Sequence, residues 1–132
     1  QRFKGWQRSN GSVNPLSTEM RLKKILDRNL IQYSRRLFVR FSSTWRVFDF
    51  LIEGCLTVEM QGDYYHANPK KFNETDVITV HKKVRQAREI WEYDEQKKQL
   101  ALSLGYKYLA IWESDIVAML DDEVLSLVKA NL

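Results

Sequence analysis

The sequence has only one cysteine, Cys55, and this scarcity excludes two kinds of protein. A single cysteine forms no internal disulfide and cannot build a cysteine-rich zinc cluster. No run of about 18 apolar residues occurs, so no segment resembles a membrane-spanning helix. Neither GxxxxGK[ST] nor GxGxxG is present, which argues against a nucleotide-hydrolysing or dinucleotide-binding domain. We therefore expect a soluble, intracellular protein.

The composition indicates one globular domain. The chain has 132 residues, 44% of them hydrophobic, which is enough for one core and too little for two domains. It begins with Gln1 and a polar, basic segment rather than with Met. We expect a fragment of a longer protein whose flanking domains lie outside this sequence.

Acidic residues are scarce in the front half of the chain. Up to Arg46 there are eleven Lys or Arg against only Glu19 and Asp27, whereas ten bases face fifteen acids from Val47 onward. One interpretation is a polyanion-binding surface, and the other is a solvated helix face. Solvated faces usually alternate in sign and this segment does not, which favours polyanion binding.

The pattern of apolar residues predicts the order α-β-β-β-α-β-α. Residues 1–16 show no period and form a basic arm, whose Arg2, Lys4 and Arg8 are candidate phosphate contacts. The single domain, 17–132, opens with a helix from Ser17 to about Ser34. Strands at 37–41, 45–52 and 55–61 precede a loop at 62–75, a long helix from Asp76 to Gly105, a strand at 106–112 and a closing helix. This order predicts an α/β or α+β sheet flanked by helices.

Two strand segments bring acidic side chains together. Glu59 and Gln61 are two residues apart and share a strand face, and a hairpin across Glu53-Gly54 brings Asp49 close to them. Carboxylate oxygens in this arrangement suit a hard cation such as Mg²⁺. The alternative is a water-facing Asp49 whose neighbours Phe48 and Phe50 are the buried pair.

A histidine and a further acid lie near this site in the predicted fold. His66 follows the strand end, where it is either a general base beside a metal site or a loop imidazole without a task. Asp94 falls on the apolar face of the long helix, where a buried carboxylate needs a partner, and a histidine ring would satisfy it. The other histidine, His81, is predicted to be solvated on the same helix.

Two tyrosines next to His66 favour nucleic acid as the partner. Tyr64 and Tyr65 offer flat aromatic surfaces on which bases stack, and the basic front half supplies phosphate contacts.

Several segments of the chain, taken together, resemble one nuclease family. TEMRLKKIL, FDFLI, QGDYYH and YDEQKKQLALSLGYKYLAIWESDI are similar to the motifs of very-short-patch-repair (Vsr) endonucleases, a branch of the PD-(D/E)XK fold. Glu19, Asp49, His66 and Asp94 match, in order, the Glu, Asp, His and Asp of the family. The same ordered set defines the EDxHD class of Vsr-like homing endonucleases, typically phage-encoded, whose catalytic domain this chain resembles most.

The resemblance implies a restriction-endonuclease-like three-layer fold and a Mg²⁺-dependent DNA endonuclease, with Mn²⁺ as a substitute metal. Asp49, Glu59 and the Met60 carbonyl would bind the metal. Glu19 would contact the metal directly or through water. His66 would deprotonate the attacking water and Asp94 would hold His66.

Further consequences of the resemblance concern the substrate and the setting. The substrate would be double-stranded DNA in the cytoplasm of a bacterium or of a phage's bacterial host, and the longer protein would carry a separate DNA-recognition region. A double-strand break would need a homodimer or two successive cleavage events. The alternatives are a Vsr-type mismatch-nicking enzyme and a catalytically silent DNA-binding module on the same fold.

The sequence departs from the family at two places. Asp63 and Ser114 stand where Vsr repair enzymes carry zinc-binding cysteines, so no structural zinc is expected. Glu59 and Gln61 stand where nucleases of the wider fold carry Glu and Lys, and the repair enzymes do not keep that acid. The second departure leaves the metal ligands open and weakens the case for a T·G mismatch as the target.

Overall fold

The computed structural model describes residues 15–132, and the predicted basic arm with Arg2, Lys4 and Arg8 therefore lies outside the described residues, apart from its last two positions. A four-stranded sheet of order β1-β2-β3-β6 forms the centre. Its strands are β1 (Tyr33–Phe41), β2 (Thr44–Ile52), β3 (Leu56–Gln61) and β6 (Lys107–Trp112). β1, β2 and β3 pair antiparallel, as the sequence predicts, and β6 pairs parallel to β3.

Helices cover both faces of this sheet. They are α1 (Pro15–Arg28), α2 (Ala87–Ser103), α3 (Glu113–Ala118) and α4 (Asp121–Asn131). On one face, buried side chains of α1, α3 and α4, such as Leu22, Ile116 and Val124, pack against Phe50 and Val58 of the sheet. On the other face, Ala101 of α2 packs with Val39 and Phe48. The predicted sheet flanked by helices is confirmed, and the sheet is mixed.

The long helix predicted from Asp76 is wrong over its first turns. Residues 77–86 form an antiparallel hairpin of β4 (Val77–Val80) and β5 (Lys83–Gln86), and α2 begins only at Ala87. The spacing of Val77, Val80 and Val84 imitates a helix, but β-branched residues dominate the segment and favour a strand. His81 therefore lies in the exposed hairpin turn and not on a helix.

Other differences from the predicted order concern where helices begin and end. α1 starts at Pro15, because proline is favoured in the first helical turn, and it stops at Arg28. Leu30 beyond it has a positive φ of 56°, and Tyr33 and Ser34, predicted in the helix, belong to β1. The closing segment is two helices rather than one, α3 and α4. No helix within residues 15–132 is long and apolar enough to cross a membrane.

Candidate functional site

Asp49 and Glu59 meet where β2 and β3 separate. The β2–β3 ladder ends at the pair Phe50 and Val58, just before these two acids. Beyond that point side chains bond to the backbone across the gap: the Asp49 amide donates to Glu59 Oε1 at 3.0 Å and the Met60 amide donates to Asp49 Oδ2 at 2.8 Å. The hairpin thus brings the two carboxylates together at the end of the ladder.

Phe48 and Phe50 on either side of Asp49 are both fully buried, while Asp49 itself is partly exposed. This is the burial expected if Asp49 were a plain strand acid, but its side chain is bonded to β3 rather than directed only to solvent. The predicted closeness of Asp49 to β3 and the predicted burial of Phe48 and Phe50 are thus both observed.

Glu19 of α1 reaches the same region through two arginines of β1. Arg35 donates to Glu19 Oε1 at 2.7 Å, and an Arg36 nitrogen lies 3.7 Å from the same oxygen. Arg36 has a positive φ of 65°, and the regular β1–β2 pairing is interrupted only at Arg36, opposite Asp49. A non-glycine residue in this conformation is costly, and such outliers often occur at functional sites.

Burial and mutual repulsion perturb the acids of this site. Burial raises the pKa of Glu59 to about 7; Lys97 opposes this rise and the charge of Asp49 adds to it. Burial also raises the pKa of Glu19, and the charge of Asp49 again adds to the rise while Arg36 and Arg35 oppose it. Asp49 therefore acts electrostatically on both glutamates, as expected for three carboxylates that share one region.

Lys97 is a site residue that the sequence did not reveal. Its ammonium contacts Glu59 Oε2, and the two side chains are only 12% and 5% exposed. It also lies 5.2 Å from the centre of the Phe48 ring. Lys97 follows Asp94 by three positions on α2, so its helical spacing from Asp94 was the one available signal.

His66 and Asp94 form a hydrogen-bonded pair. His66 Nδ1 lies 2.9 Å from Asp94 Oδ2, and both side chains are mostly buried. Trp91, one turn before Asp94 on α2, donates its indole N–H to the carbonyl of Ala67 at 2.6 Å. This second bond holds the loop residue next to His66 against the helix that carries Asp94, so the pair is fixed from both sides.

The titration of Tyr108 on β6 is affected by burial and by the charges of Glu59, Asp94 and Asp49. Burial raises the pKa of Tyr108, and the charges of Glu59, Asp94 and Asp49 add to the rise in that order. Lys97 lies about one turn after Asp94 on α2 and contacts Glu59, which places Asp94 on the same side of the sheet as Glu59. Sequence gave no signal for Tyr108 beyond its place on a strand.

The remaining predicted residues have different surroundings. Gln61 is 5% exposed at the end of β3, and Met60 belongs to the main core. The Tyr64 hydroxyl accepts from the Thr79 amide at 3.1 Å and its ring packs edge-on against Phe72, so Tyr64 supports the hairpin. Tyr65 lines a cleft beside the hairpin.

Asp63 lies in a polar cluster between the loop after β3 and the start of α3. Asp63 is fully buried, accepts from Asn68 Nδ2 at 3.0 Å and lies 3.5 Å from the Lys71 ammonium. Its amide donates to Glu113, the neighbour of Ser114, at 3.1 Å. Hydrogen bonds thus tie the loop to the start of α3 at this place.

The donors near Asp49 suit a hard cation in kind, since they are carboxylates and a carbonyl. Within residues 15–132, no group of three or more His, Cys, Asp or Glu is arranged to hold a metal ion. Asp49 and Glu59 with the Met60 carbonyl make a smaller set, of the size that leaves Mg²⁺ several water ligands. Lys97 already neutralises one of these acids.

Comparisons with known proteins give no match: no family model, no curated protein and no solved structure is similar to this chain.

Proposed function

We propose that this chain is a metal-dependent DNA endonuclease domain that hydrolyses phosphodiester bonds, of the kind found in Vsr-like homing endonucleases. The observation that carries the proposal is the His66–Asp94 hydrogen bond, about one helical turn from the contact that Lys97 makes with Glu59 beside Asp49. A positioned base next to a cation-attracting carboxylate group is what hydrolysis of a phosphodiester requires.

His66 has the geometry of a general base. Its Nδ1 is engaged by Asp94 at 2.9 Å, and the carboxylate favours the tautomer that carries the proton there. The other ring nitrogen, Nε2, is then an acceptor able to take a proton from a water molecule. Asp94 orients the ring and stabilises the imidazolium that forms.

Asp49 and Glu59, with the Met60 carbonyl, would hold Mg²⁺ or Mn²⁺, and Glu19 would contact the ion directly or through water. When bound, the ion lowers the pKa of its water and stabilises charge on the phosphate. The repulsion that Asp49 exerts on Glu19 and Glu59 would be relieved by a cation at this point. Gln61, next to this group on β3, would orient the scissile phosphate or water.

The direct test is cleavage of supercoiled plasmid. Wild type with Mg²⁺ should nick or linearise the DNA, whereas wild type in EDTA and Asp49→Ala with Mg²⁺ should leave it intact. Glu53→Ala is a matched control, because Glu53 is an exposed acid of the β2–β3 turn, at the opposite end of the ladder from Asp49 and Glu59. Equal cleavage by wild type, the EDTA sample and Asp49→Ala would refute the proposal.

A second candidate function is a catalytically silent DNA-binding module on the same fold. One observation favours it: Lys97 neutralises Glu59 and the Met60 amide engages Asp49, so the acids have partners without any metal. This candidate predicts tight, salt-sensitive DNA binding and no metal-dependent cleavage.

A further inference from the structure

The β4–β5 hairpin carries positive charge and no acid. Its sequence, VITVHKKVRQ, includes Lys82, Lys83 and Arg85 together with His81, and contains neither Asp nor Glu. All four side chains are exposed, and Lys82, Lys83 and Arg85 take part in none of the ion pairs found among residues 15–132. The hairpin therefore presents its positive charge to solvent.

The hairpin is a fixed element of the fold. Ile78 is 1% exposed in a core cluster with Ala67 and Ile90, and the Tyr64 hydroxyl bonds to the Thr79 backbone. The two turn residues, His81 and Lys82, have positive φ values of 52° and 64°, as a two-residue type I′ turn requires. Such turns usually have Asn or Gly at these two positions. Here His81 and Lys82 occupy them, and Lys82 places a positive charge at the tip of the hairpin.

Lys83, Arg85 and Tyr65 line one cleft. Ile78 pairs with Arg85 and Val80 with Lys83, and directly paired residues of antiparallel strands lie on one face of the hairpin. These four side chains, with Tyr65, line a cleft of about 260 Å³. Sites for drug-sized ligands span roughly 300–1,000 Å³, so this cleft suits one base or phosphate rather than a dinucleotide.

Two lining residues of the cleft, Tyr65 and Ile90, lie close along the chain to His66 and Asp94. On the loop, Tyr65 immediately precedes His66. On α2, Ile90 lines the cleft and Asp94 lies four residues further, which is one turn on the same face and about 6 Å along the axis. That offset is about two base steps of a DNA strand, at roughly 3.4 Å per nucleotide.

From these observations we propose that the β4–β5 hairpin and Tyr65 bind the DNA strand beside the cleavage site, with Lys83 and Arg85 on backbone phosphates and the Tyr65 ring stacked on a base. The inference rests on the proposed function and assigns it a strand-binding cleft. Lys82 at the hairpin tip extends the contact to a neighbouring phosphate.

The test is fluorescence anisotropy with a labelled DNA duplex in EDTA, where no cleavage interferes, at several salt concentrations. Lys83→Ala and Arg85→Ala should each weaken binding and reduce the slope of log affinity against log salt by about 0.9, and the double variant by about twice that. Lys129→Ala is the matched control: an exposed lysine on α4 with the same charge loss, which should leave the slope unchanged.

A second pair of variants tests stacking. Tyr65→Ala should weaken DNA binding by about 10-fold or more, while Tyr65→Phe, which keeps the ring, should bind like wild type. Thermal unfolding of each variant checks that the fold is kept, as expected for changes at the surface.

The outcomes separate this inference from the proposed function. If wild type binds and cleaves DNA but Lys83→Ala and Arg85→Ala behave like Lys129→Ala, the hairpin has no part in binding and only this inference fails. If wild type binds no DNA even at low salt, the proposed function fails and the inference fails with it.

Discussion

The Lys97 ammonium contacts the Glu59 carboxylate across the gap between α2 and β3, with both side chains almost sealed from water. The contact joins the helix that carries Asp94 to the strand that carries Glu59, an acid of the proposed metal site. Removing one partner of a buried ion pair leaves an uncompensated charge, which costs more than an exposed pair contributes. Lys97 thus holds together the two halves of the candidate site.

Lys97→Met should make the stability of the protein strongly dependent on pH. Burial raises the pKa of Glu59 from 4.5 to about 7 even with Lys97 present, so the folded state binds a proton that the unfolded state releases. An acid with a raised pKa stabilises the folded state fully below pH 4.5, and this contribution is lost as pH rises through the folded-state value. Without Lys97 the folded-state pKa of Glu59 rises further, so the variant continues to lose stability up to a higher pH than wild type does.

Urea unfolding of wild type and Lys97→Met between pH 5 and pH 9 measures this effect. The variant should be less stable by about 3–5 kcal/mol at pH 9 and by much less at pH 5, where Glu59 is protonated. Lys98→Met is the control, since Lys98 is the adjacent lysine on α2 and forms no ion pair with a described residue. A difference that is the same at every pH would show that Lys97 contributes packing alone.

Affinity for a divalent cation should rise with pH. Metal binding requires ionised carboxylates, and burial together with the charge of Asp49 raises the pKa of both Glu19 and Glu59. Below about pH 7 the ion must displace a proton from Glu59, so affinity should grow by up to about 10-fold per pH unit and level off above that value.

Isothermal titration calorimetry with Mn²⁺ in the absence of DNA, from pH 6 to pH 8, measures this affinity directly. Asp49→Asn should bind the ion weakly at every pH, because it removes a ligand charge, and it should also lower the pKa of Glu59. A flat affinity profile in wild type would mean that Glu59 is not a ligand of the ion.

The sequence predicts the central sheet well because strand signals there agree with one another. Segments 45–52 and 55–61 are rich in β-branched and aromatic residues, and the short Glu53-Gly54 connection fixes their antiparallel pairing. In the structure the connection has three residues, 53–55, and pairs Ile52 with Leu56, which sets Asp49 opposite Glu59; a two-residue Glu53-Gly54 turn would have set it opposite Val58. The proximity of His66 to Asp94 follows from the cost of burying a lone carboxylate on a helix.

The β4–β5 hairpin and Lys97 escaped prediction for different reasons. Val77, Val80 and Val84 are spaced by three and four residues, which satisfies a helix as well as a hairpin, and the His81-Lys82 turn lacks the usual glycine or asparagine. Lys97 acts through space on a strand 38 positions away in sequence, and no local pattern reports such a pairing. Tertiary contacts decided both cases.

Tyr64→Phe should destabilise the protein by about 1 kcal/mol without changing its folded structure. The Tyr64 hydroxyl accepts from the Thr79 amide at 3.1 Å and donates to the Thr79 carbonyl at 3.4 Å. The first bond is the shorter, and loss of such a bond typically costs about 0.5–1.5 kcal/mol. Thermal unfolding measures the loss, and hydrogen exchange should show faster opening of the hairpin. Tyr93→Phe is the control: Tyr93 is 43% exposed on α2, and Phe keeps the ring that Arg46 contacts. Equal destabilisation by both changes would show that the Tyr64 hydroxyl does not anchor the hairpin.

The last prediction separates a working His66 from a bystander. If His66 is a general base held by Asp94, His66→Ala should lower the cleavage rate by about 10²-fold or more while DNA affinity stays close to wild type. Asp94→Asn should lose most of the same activity, because an amide can still accept from Nδ1 across the 2.9 Å contact but cannot stabilise the imidazolium that forms.

The double variant of His66→Ala and Asp94→Asn decides whether the two residues act as one unit. Single-turnover cleavage rates for the four proteins give the coupling directly, and the double variant should be little slower than His66→Ala alone, since both changes disable the same proton transfer. Glu92→Gln is the control for Asp94→Asn, because it removes an exposed acid two residues away on α2 and should leave the rate unchanged. If the losses at His66 and Asp94 multiply instead, the pair does not work as a unit; Asp94 then supports the loop with Trp91, and Glu59 or a metal-bound hydroxide becomes the base to test.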